Sequence, residues 1–192
     1  MKLITEQTTK IKATLPTRDA TKKQEVFYNP LMKSNRNLSI VLLNSISNKE
    51  MGLALPLAGS GIRGLRFLKE LKKGKLNHLY LNDRKETFEK TIKENLKLNS
   101  LKTNKINIST QDAEQFLLSQ HCDESCGYMD YIDIDPFGTP NPFISVAVNK
   151  IKRNGILAIT ATDTAALTGT YPKVTKRKYW ARSLRNYMMH EI

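Results

Sequence analysis

The chain has 192 residues, 40% of them apolar, enough to bury one well-packed core and too few for two large domains. Its 31 Lys and Arg against 18 Asp and Glu give a net charge of +13, which points to a polyanionic partner such as a nucleic acid, although lysine enrichment also follows genome bias or a hot habitat. No run approaches the ~18–20 apolar residues of a membrane span, and residues 1–15 lack the apolar centre of a signal peptide, so no membrane is expected and the compartment reads as cytoplasmic.

Taken in chain order, Leu3–Ile4 and residues 11–15 alternate as two short strands that could pair as a hairpin before a turn at Pro16. A Val-Phe-Tyr-Asn-Pro segment follows at 26–30, then Lys33 to Arg36, and a helical pattern begins near Leu38. From there strand and helix signals alternate. Strands are expected at residues 51–57, 78–81, 105–109, 128–134 and 156–160, with helices at 62–71, 85–98, 113–118 and 144–151 between them. Gly155 reads as the stop of the last of these helices, and a further helix is expected from Trp180 onward.

Five apolar strands alternating with helices predict a mostly parallel sheet covered on both faces, doubly wound and Rossmann-like. The expected division is an N-terminal hairpin and extended segment over 1–30, followed by the sheet domain over 31–192. Ligands in such sheets bind beyond the carboxyl ends of the strands, and the unusual residue clusters of this chain fall at those ends.

The first is Ala-Gly-Ser-Gly-Ile-Arg-Gly at 58–64, between the first sheet strand and its helix. Gly59 and Gly61 permit a tight turn and a close ligand approach, but such turns serve nucleotides, flavins and S-adenosylmethionine alike, and a plain turn is the bland alternative. Asp83, at the tip of the next strand, suits a pair of ribose hydroxyls. Asp112, one strand on and followed by the small Ala113, suits the amine edge of an adenine, or else simply caps the helix after it.

The most informative stretch is Asp-Ile-Asp-Pro-Phe-Gly at 133–138, ending the fourth sheet strand. An Asp-Pro-aromatic turn at that place is a signature of enzymes that methylate exocyclic amines. A base amine is a weak nucleophile because its lone pair is delocalised into the ring. Asp135 would accept a hydrogen bond from it, a backbone carbonyl of the turn at Pro136 would take the second, and Phe137 would stack on the base. Asp133 reads as a structural or cofactor-side group, and an ordinary turn with Phe137 packed in the core is the alternative. Beyond the fifth strand, residues 172–189 hold six basic residues and no acidic one: Lys173, Lys176, Arg177, Lys178, Arg182 and Arg185. Tyr171, Tyr179 and Trp180 are interleaved, the chemistry of a nucleic-acid groove, with a solvated loop as the alternative. Cys122 and Cys126 have no second Cys or His pair to close a tetrahedral site, so no metal is expected.

In combination these segments resemble one family, the tRNA (guanine(26)-N2)-dimethyltransferases of archaea and eukaryotes. The likeness rests on the stretches at 26–32, 35–36, 60–64, 82–83, 112–113 and 133–138, and on Thr160 to Thr164, Leu167 to Gly169 and His190-Glu191. The resemblance implies a class I S-adenosylmethionine-dependent methyltransferase fold. It also implies transfer of one and then two methyl groups from S-adenosyl-L-methionine to N2 of guanine 26 in tRNA. It places Arg36, Arg63, Asp83, Asp112 and Ala113 at the cofactor, Asp135 as the catalytic carboxylate, Pro136 and Phe137 around the guanine, and Phe27 as a second stacking ring. Leu55 stands where the family's first strand carries an acidic residue, and Lys33, Ser34 and Asn37 replace a more acidic, apolar stretch. Family members also continue well past the His-Glu pair, so the sheet is expected to lack its last strands, the chain being a fragment, a truncated reading frame or one half of a split enzyme; if split, a second polypeptide would supply these strands and a tRNA-binding domain. Two other readings stay open: a methyltransferase acting on another RNA or DNA base amine, and a non-catalytic tRNA-binding fragment. A nicotinamide dehydrogenase leaves the Asp-Pro-Phe-Gly turn without a purpose.

Overall fold

The computed structural model describes residues 1–14, 26–102, 104–119 and 128–183. It opens with an antiparallel hairpin, β1 (Lys2–Glu6) and β2 (Thr9–Ala13), with Ile4 opposite Ile11. The expected turn at Pro16 lies outside the described residues. A single 3-10 turn over Pro30–Met32 is capped by Asn29, whose Oδ1 accepts the Leu31 N–H at 3.0 Å. Proline at the first position sets the helical φ, so α1 (Lys33–Ser45) starts five residues before the expected Leu38 and carries Asn35 and Arg36 on its first turns.

The rest alternates: β3 (Met51–Leu55), α2 (Ile62–Glu70), β4 (Leu76–Asn82), α3 (Phe88–Leu98), β5 (Ile106–Ser109), α4 (Ala113–Ser119), β6 (Met129–Ile134), α5 (Asn141–Lys150) and β7 (Ile151–Ile159). The five strands form one parallel sheet in the order β5-β4-β3-β6-β7. Its winding reverses between β3 and β6, as in the doubly wound fold expected from the sequence. Side chains alternate across the strands. Leu53, Leu55, Leu79 and Leu81 pack with Phe67, Ile92 and Leu43 on one face. Ala54, Tyr80, Ile132 and Ile134 pack with Phe116, Leu117 and Ala147 on the other. Leu55 is 3% exposed, so an apolar residue there completes the core of the first face.

Two expectations need correction. Gly155 does not end a helix: α5 stops at Lys150, and β7 runs through Gly155 from Ile151. The pairing of β6 with β7 shifts register between Met129 and Tyr131, and a Cβ on Gly155 would lie 2.9 Å from the Lys152 carbonyl oxygen, so the glycine serves a bulge. Likewise, among the described residues, the last helical segment ends before Trp180, and residues 180–183 are not helical. After a short α6 (Thr164–Leu167), α7 spans Pro172–Tyr179 and Trp180 closes it with φ of 52°. Residues 184–192, including Arg185, His190 and Glu191, lie outside the described residues, as do Cys122 and Cys126. No helix among the described residues is long and apolar enough to cross a membrane.

The hairpin is fastened to the sheet domain by charge as well as by packing. Ile11 and Ala13 are buried with Ile62 and Leu65 of α2. Asn95 and Asn99 of the α3 end accept the Lys12 and Lys10 N–H groups at 2.9 and 2.8 Å. Glu6, 1% exposed, accepts bonds from the Tyr28 hydroxyl at 2.7 Å, from Arg36 Nε at 2.8 Å and from Arg66 Nη1 at 2.8 Å. Burial pushes the Glu6 carboxyl up, but Arg36, Tyr28 and Arg66 together outweigh it and hold it at about 2.

A carboxyl held below its unfolded value of 4.5 stabilises the fold above that pH and loses the contribution as pH falls toward 2. The stability gap between the wild type and Glu6→Gln is therefore expected to be on the order of 3 kcal/mol near neutrality and to shrink steadily below pH 4.5, read from urea melts across that range. Gly61→Ala is expected to cost about 1–3 kcal/mol in the same measurement, because φ is +74° there and the added Cβ would sit 2.1 Å from Ile92 Cδ1.

Candidate active site

The crevice opened by the winding reversal lies at the carboxyl ends of β3 and β6. Two turns border it: the glycine turn after β3 and the Asp-Pro-Phe-Gly turn after β6. In the first, Gly59 and Gly61 have φ of 57° and 74°. The close approach at Gly61 is to Ile92 of α3, so that glycine is required by packing, whereas Gly59 is required by its backbone conformation alone. The Gly59 N–H donates to Asp83 Oδ2 at 2.8 Å, and Asp83 Oδ1 accepts the Lys85 N–H at 3.2 Å. The carboxylate expected at a ribose thus also holds the glycine turn in place, and it remains half-buried at the strand tip. Asp112 Oδ1 accepts the Glu114 and Gln115 N–H groups at 2.9 and 3.4 Å, the geometry of a helix cap. Ala113, behind it, is 4% exposed.

At the second turn, Asp133 and Asp135 meet Arg63 from the first turn of α2. Arg63 Nε lies 2.5 Å from Asp133 Oδ2, and Nη2 lies 3.4 Å from Asp135 Oδ2. Nη1 donates to Ser39 Oγ at 2.8 Å and Nη2 to Asn35 Oδ1 at 2.6 Å, both on α1. The Tyr131 hydroxyl is 3.2 Å from both Ser39 Oγ and Asp133 Oδ2. Asp133 is 3% exposed, while the Asp135 side chain keeps 30% of its surface open. Burial pushes both carboxyls up against the opposing pull of Arg63, Asp133 to about 6.

Pro136 is buried and Phe137 is 44% exposed. The Phe137 ring meets Phe27 edge-on at 4.8 Å between centroids. The two rings expected to stack on a base, more than a hundred positions apart, therefore form one aromatic wall. Gly138, with φ of 92°, donates to Thr162 Oγ1 at 2.7 Å, and Thr162 returns its N–H to the Gly138 carbonyl at 2.9 Å. These bonds pin the turn to the segment after β7. α7 lies close by: Asn141, at the start of α5, donates to the Lys178 carbonyl, and Lys178 Nζ pairs with Asp163 at 2.9 Å. Lys173, Lys176, Arg177 and Arg182 are exposed beyond it, with Tyr171 and Trp180.

Arg36, expected at the cofactor, is 5% exposed and bonds Glu6 and the Asn29 carbonyl, while Arg63 spends its donors on α1 and β6. Glu6, Ser39 and Tyr131 were not legible as parts of this arrangement from motifs. The signal for Tyr131 was present, since residues 131, 133 and 135 share one strand face by the two-residue period.

A family model described as N2,N2-dimethylguanosine tRNA methyltransferase matches residues 2–192. The chain is 44% identical over 170 residues to the tRNA (guanine(26)-N(2)/guanine(27)-N(2))-dimethyltransferase of Aquifex aeolicus, covering 87% of this chain and 42% of that protein. It is 42% identical over 195 residues to the tRNA (guanine(26)-N(2))-dimethyltransferase of Methanococcus aeolicus, covering 96% and 49%. Among solved structures, Trm1 from Pyrococcus horikoshii with S-adenosyl-L-methionine superposes with a TM-score of 0.84 at 35% identity, covering 100% of this chain and 51% of that one. A methyltransferase from Agrobacterium tumefaciens, at 15% identity and a TM-score of 0.66 over 92% of this chain and 57% of its own, shares the fold. The chain spans about half the length of the curated relatives it matches. With the fold a Rossmann-like methyltransferase sheet and the match running over nearly every residue, the chain belongs to the N2,N2-dimethylguanosine tRNA methyltransferase family.

Proposed function

We propose that this chain is the cofactor- and base-binding part of an enzyme that transfers methyl groups from S-adenosyl-L-methionine to N2 of guanine 26 in tRNA. The product is N2-methyl- and then N2,N2-dimethylguanosine. The observation that carries the reading is the convergence of Asp135, Phe137 and Phe27 beside the glycine turn, at the reversal of the sheet.

The residues present suit the cofactor. Three successive strand tips offer the glycine turn, the half-buried Asp83 carboxylate for a ribose, and Asp112 with Ala113 for an adenine edge. Asp83 and Asp112 each hold backbone N–H groups and keep further lone pairs, since an ionised carboxylate accepts at about four sites. When bound, S-adenosylmethionine supplies a methyl group on a positively charged sulfur. Arg36 and Arg63 stand behind this track, steadying its walls through Glu6 and Asp133.

At the other end, Phe137 and Phe27 grip the base, each such stack being worth about 1–3 kcal/mol. Asp135 accepts a hydrogen bond from the guanine amine and aims its lone pair toward the methyl carbon. With the methyl–sulfur bond breaking as the N–C bond forms and S-adenosylhomocysteine leaving as a neutral thioether, Asp135 would take the amine proton, a task favoured by the upward pull of burial on its carboxyl. Unstacking the guanine costs a few kcal/mol, which the aromatic wall offsets. The exposed Lys173, Lys176, Arg177 and Arg182, with Lys178 behind them, supply phosphate contacts on the same rim. The setting for such chemistry is the cytoplasm.

A second polypeptide, corresponding to the remaining half of the relatives, would pack against the exposed side of α1 and β7. Leu38 and Val41 of α1 are 69% and 64% exposed, and they border a groove of about 400 Å³ shared with Ala158 of the edge strand β7. Among the described residues β7 pairs with β6 alone, and an open sheet edge of this kind invites a further strand.

Radiolabelled methyl transfer to unmodified tRNA tests the function, run with the chain alone and with the second half of the Pyrococcus horikoshii protein added. Incorporation at position 26 is expected, stimulated by the added half. Asp135→Ala is expected to lower the rate by ~10²-fold or more. Transfer to another base, or none under either condition, would overturn the proposal.

A further inference from the structure

Arg63 is held in an unsymmetrical way. It is 7% exposed, and its three short bonds all lie away from Asp135: Asp133 at 2.5 Å, Asn35 at 2.6 Å and Ser39 at 2.8 Å. Asp135 receives the long contact of 3.4 Å, well outside the ~2.7–2.9 Å of a close charge-assisted bond. Of the three short acceptors only Asp133 is charged, and it is also the most deeply placed, with the Tyr131 hydroxyl against the same oxygen.

A guanidinium freed from that anchor has one other carboxylate in reach. A forked Arg63–Asp135 pair would use both Asp135 oxygens, leave none for a substrate amine, and favour the ionised form so strongly that proton uptake would be suppressed. Asp133 opposes this twice. It competes for the guanidinium at closer range, and its negative charge disfavours a second charge at Asp135.

We propose that Asp133 is a positioning residue: it draws Arg63 back from Asp135, so that the Asp135 carboxylate stays open for the amine that is methylated. The inference rests on the reading of Asp135 as the acceptor-end carboxylate. The upward pull of burial on both carboxyls agrees with it. The charged and titratable groups that face the pair are Arg63 from α2, Tyr131 on the same strand and, at longer range, Arg36 from α1. Asn35 and Ser39 of α1 and Thr160 after β7 add neutral contacts.

The test is a carbon-13 NMR titration of the Asp135 carboxyl in the wild type and in Asp133→Asn, beside the pH profile of methyl transfer. In the variant Asp135 is expected to titrate about one pH unit or more lower, from loss of a like charge and approach of Arg63. The rate is expected to fall ~10-fold or more with its acid limb moved to lower pH. A purely structural role would lower the rate and leave the limb in place. Asn35→Ala, which frees the Nη2 nearest Asp135 without removing a buried charge, is expected to move the titration the same way by a smaller amount, and it serves if Asp133→Asn does not fold. An Asp135 titration unmoved in the folded variants overturns the anchor. Absent methyl transfer in the wild type, with the titration moving as described, overturns the proposed function and spares the anchor.

Discussion

β3 and β6 lie side by side and parallel, yet the chain leaves them toward opposite flanks of the sheet, β4 and β5 on one side and β7 on the other. Because no connection can cross the gap between them, their carboxyl ends frame a crevice that the backbone cannot fill. Everything chemical in this chain is arranged around that constraint. The glycine turn and its Asp83 brace come from the β3 side; the paired carboxylates and the Phe137 ring come from β6. The hairpin segment brings Phe27 across the top, its carbonyl 3.7 Å from where a Cβ on Gly59 would sit.

The crevice is held open by buried charge instead of by packing alone. Glu6 collects three donors from two helices and the 26–30 segment, and Arg63 collects acceptors from α1 and β6. Each buried ion is costly in isolation and tolerable only because its partners are fixed by rigid elements. Such hubs contribute less to net stability than to uniqueness: they admit one relative placement of hairpin, α1, α2 and β6. The apolar faces on either side of the sheet could tolerate small slips, but a guanidinium with four specified partners cannot.

Much of this was legible in the sequence. The alternation of apolar runs and helical periods gave the sheet and its winding, because parallel strands buried on both faces have few other arrangements. The strand-tip residues followed from that, and Phe27 and Phe137, each read from the resemblance as a ring for the base, lie edge to edge. What was not legible depended on long-range partners. Nothing local to Glu6 announces a core carboxylate, since an alternating hairpin strand reads the same with its acid in or out. Arg36 and Arg63 were placed at the cofactor by the resemblance, while the carboxylates that hold them, Glu6 and Asp133, come from strands no motif links to them. Gly155 was misread because a glycine after a helix and a glycine in a bulged strand look alike until the pairing partner is known. Asp112 shows the opposite limit: both readings of it describe the same oxygen-rich strand tip.

The placement of Glu6 has a bearing on how the protein is handled at its first residues. The short motifs that carry the resemblance begin at Val26, so a trimmed N-terminus would leave all of them intact. It would also strip Arg36 and Tyr28 of the carboxylate they share, stranding a cation in the interior against the Tyr28 ring, next in the chain to Phe27. A shortened protein would keep those motifs and lose the counter-charge that ties α1 to the 26–30 segment.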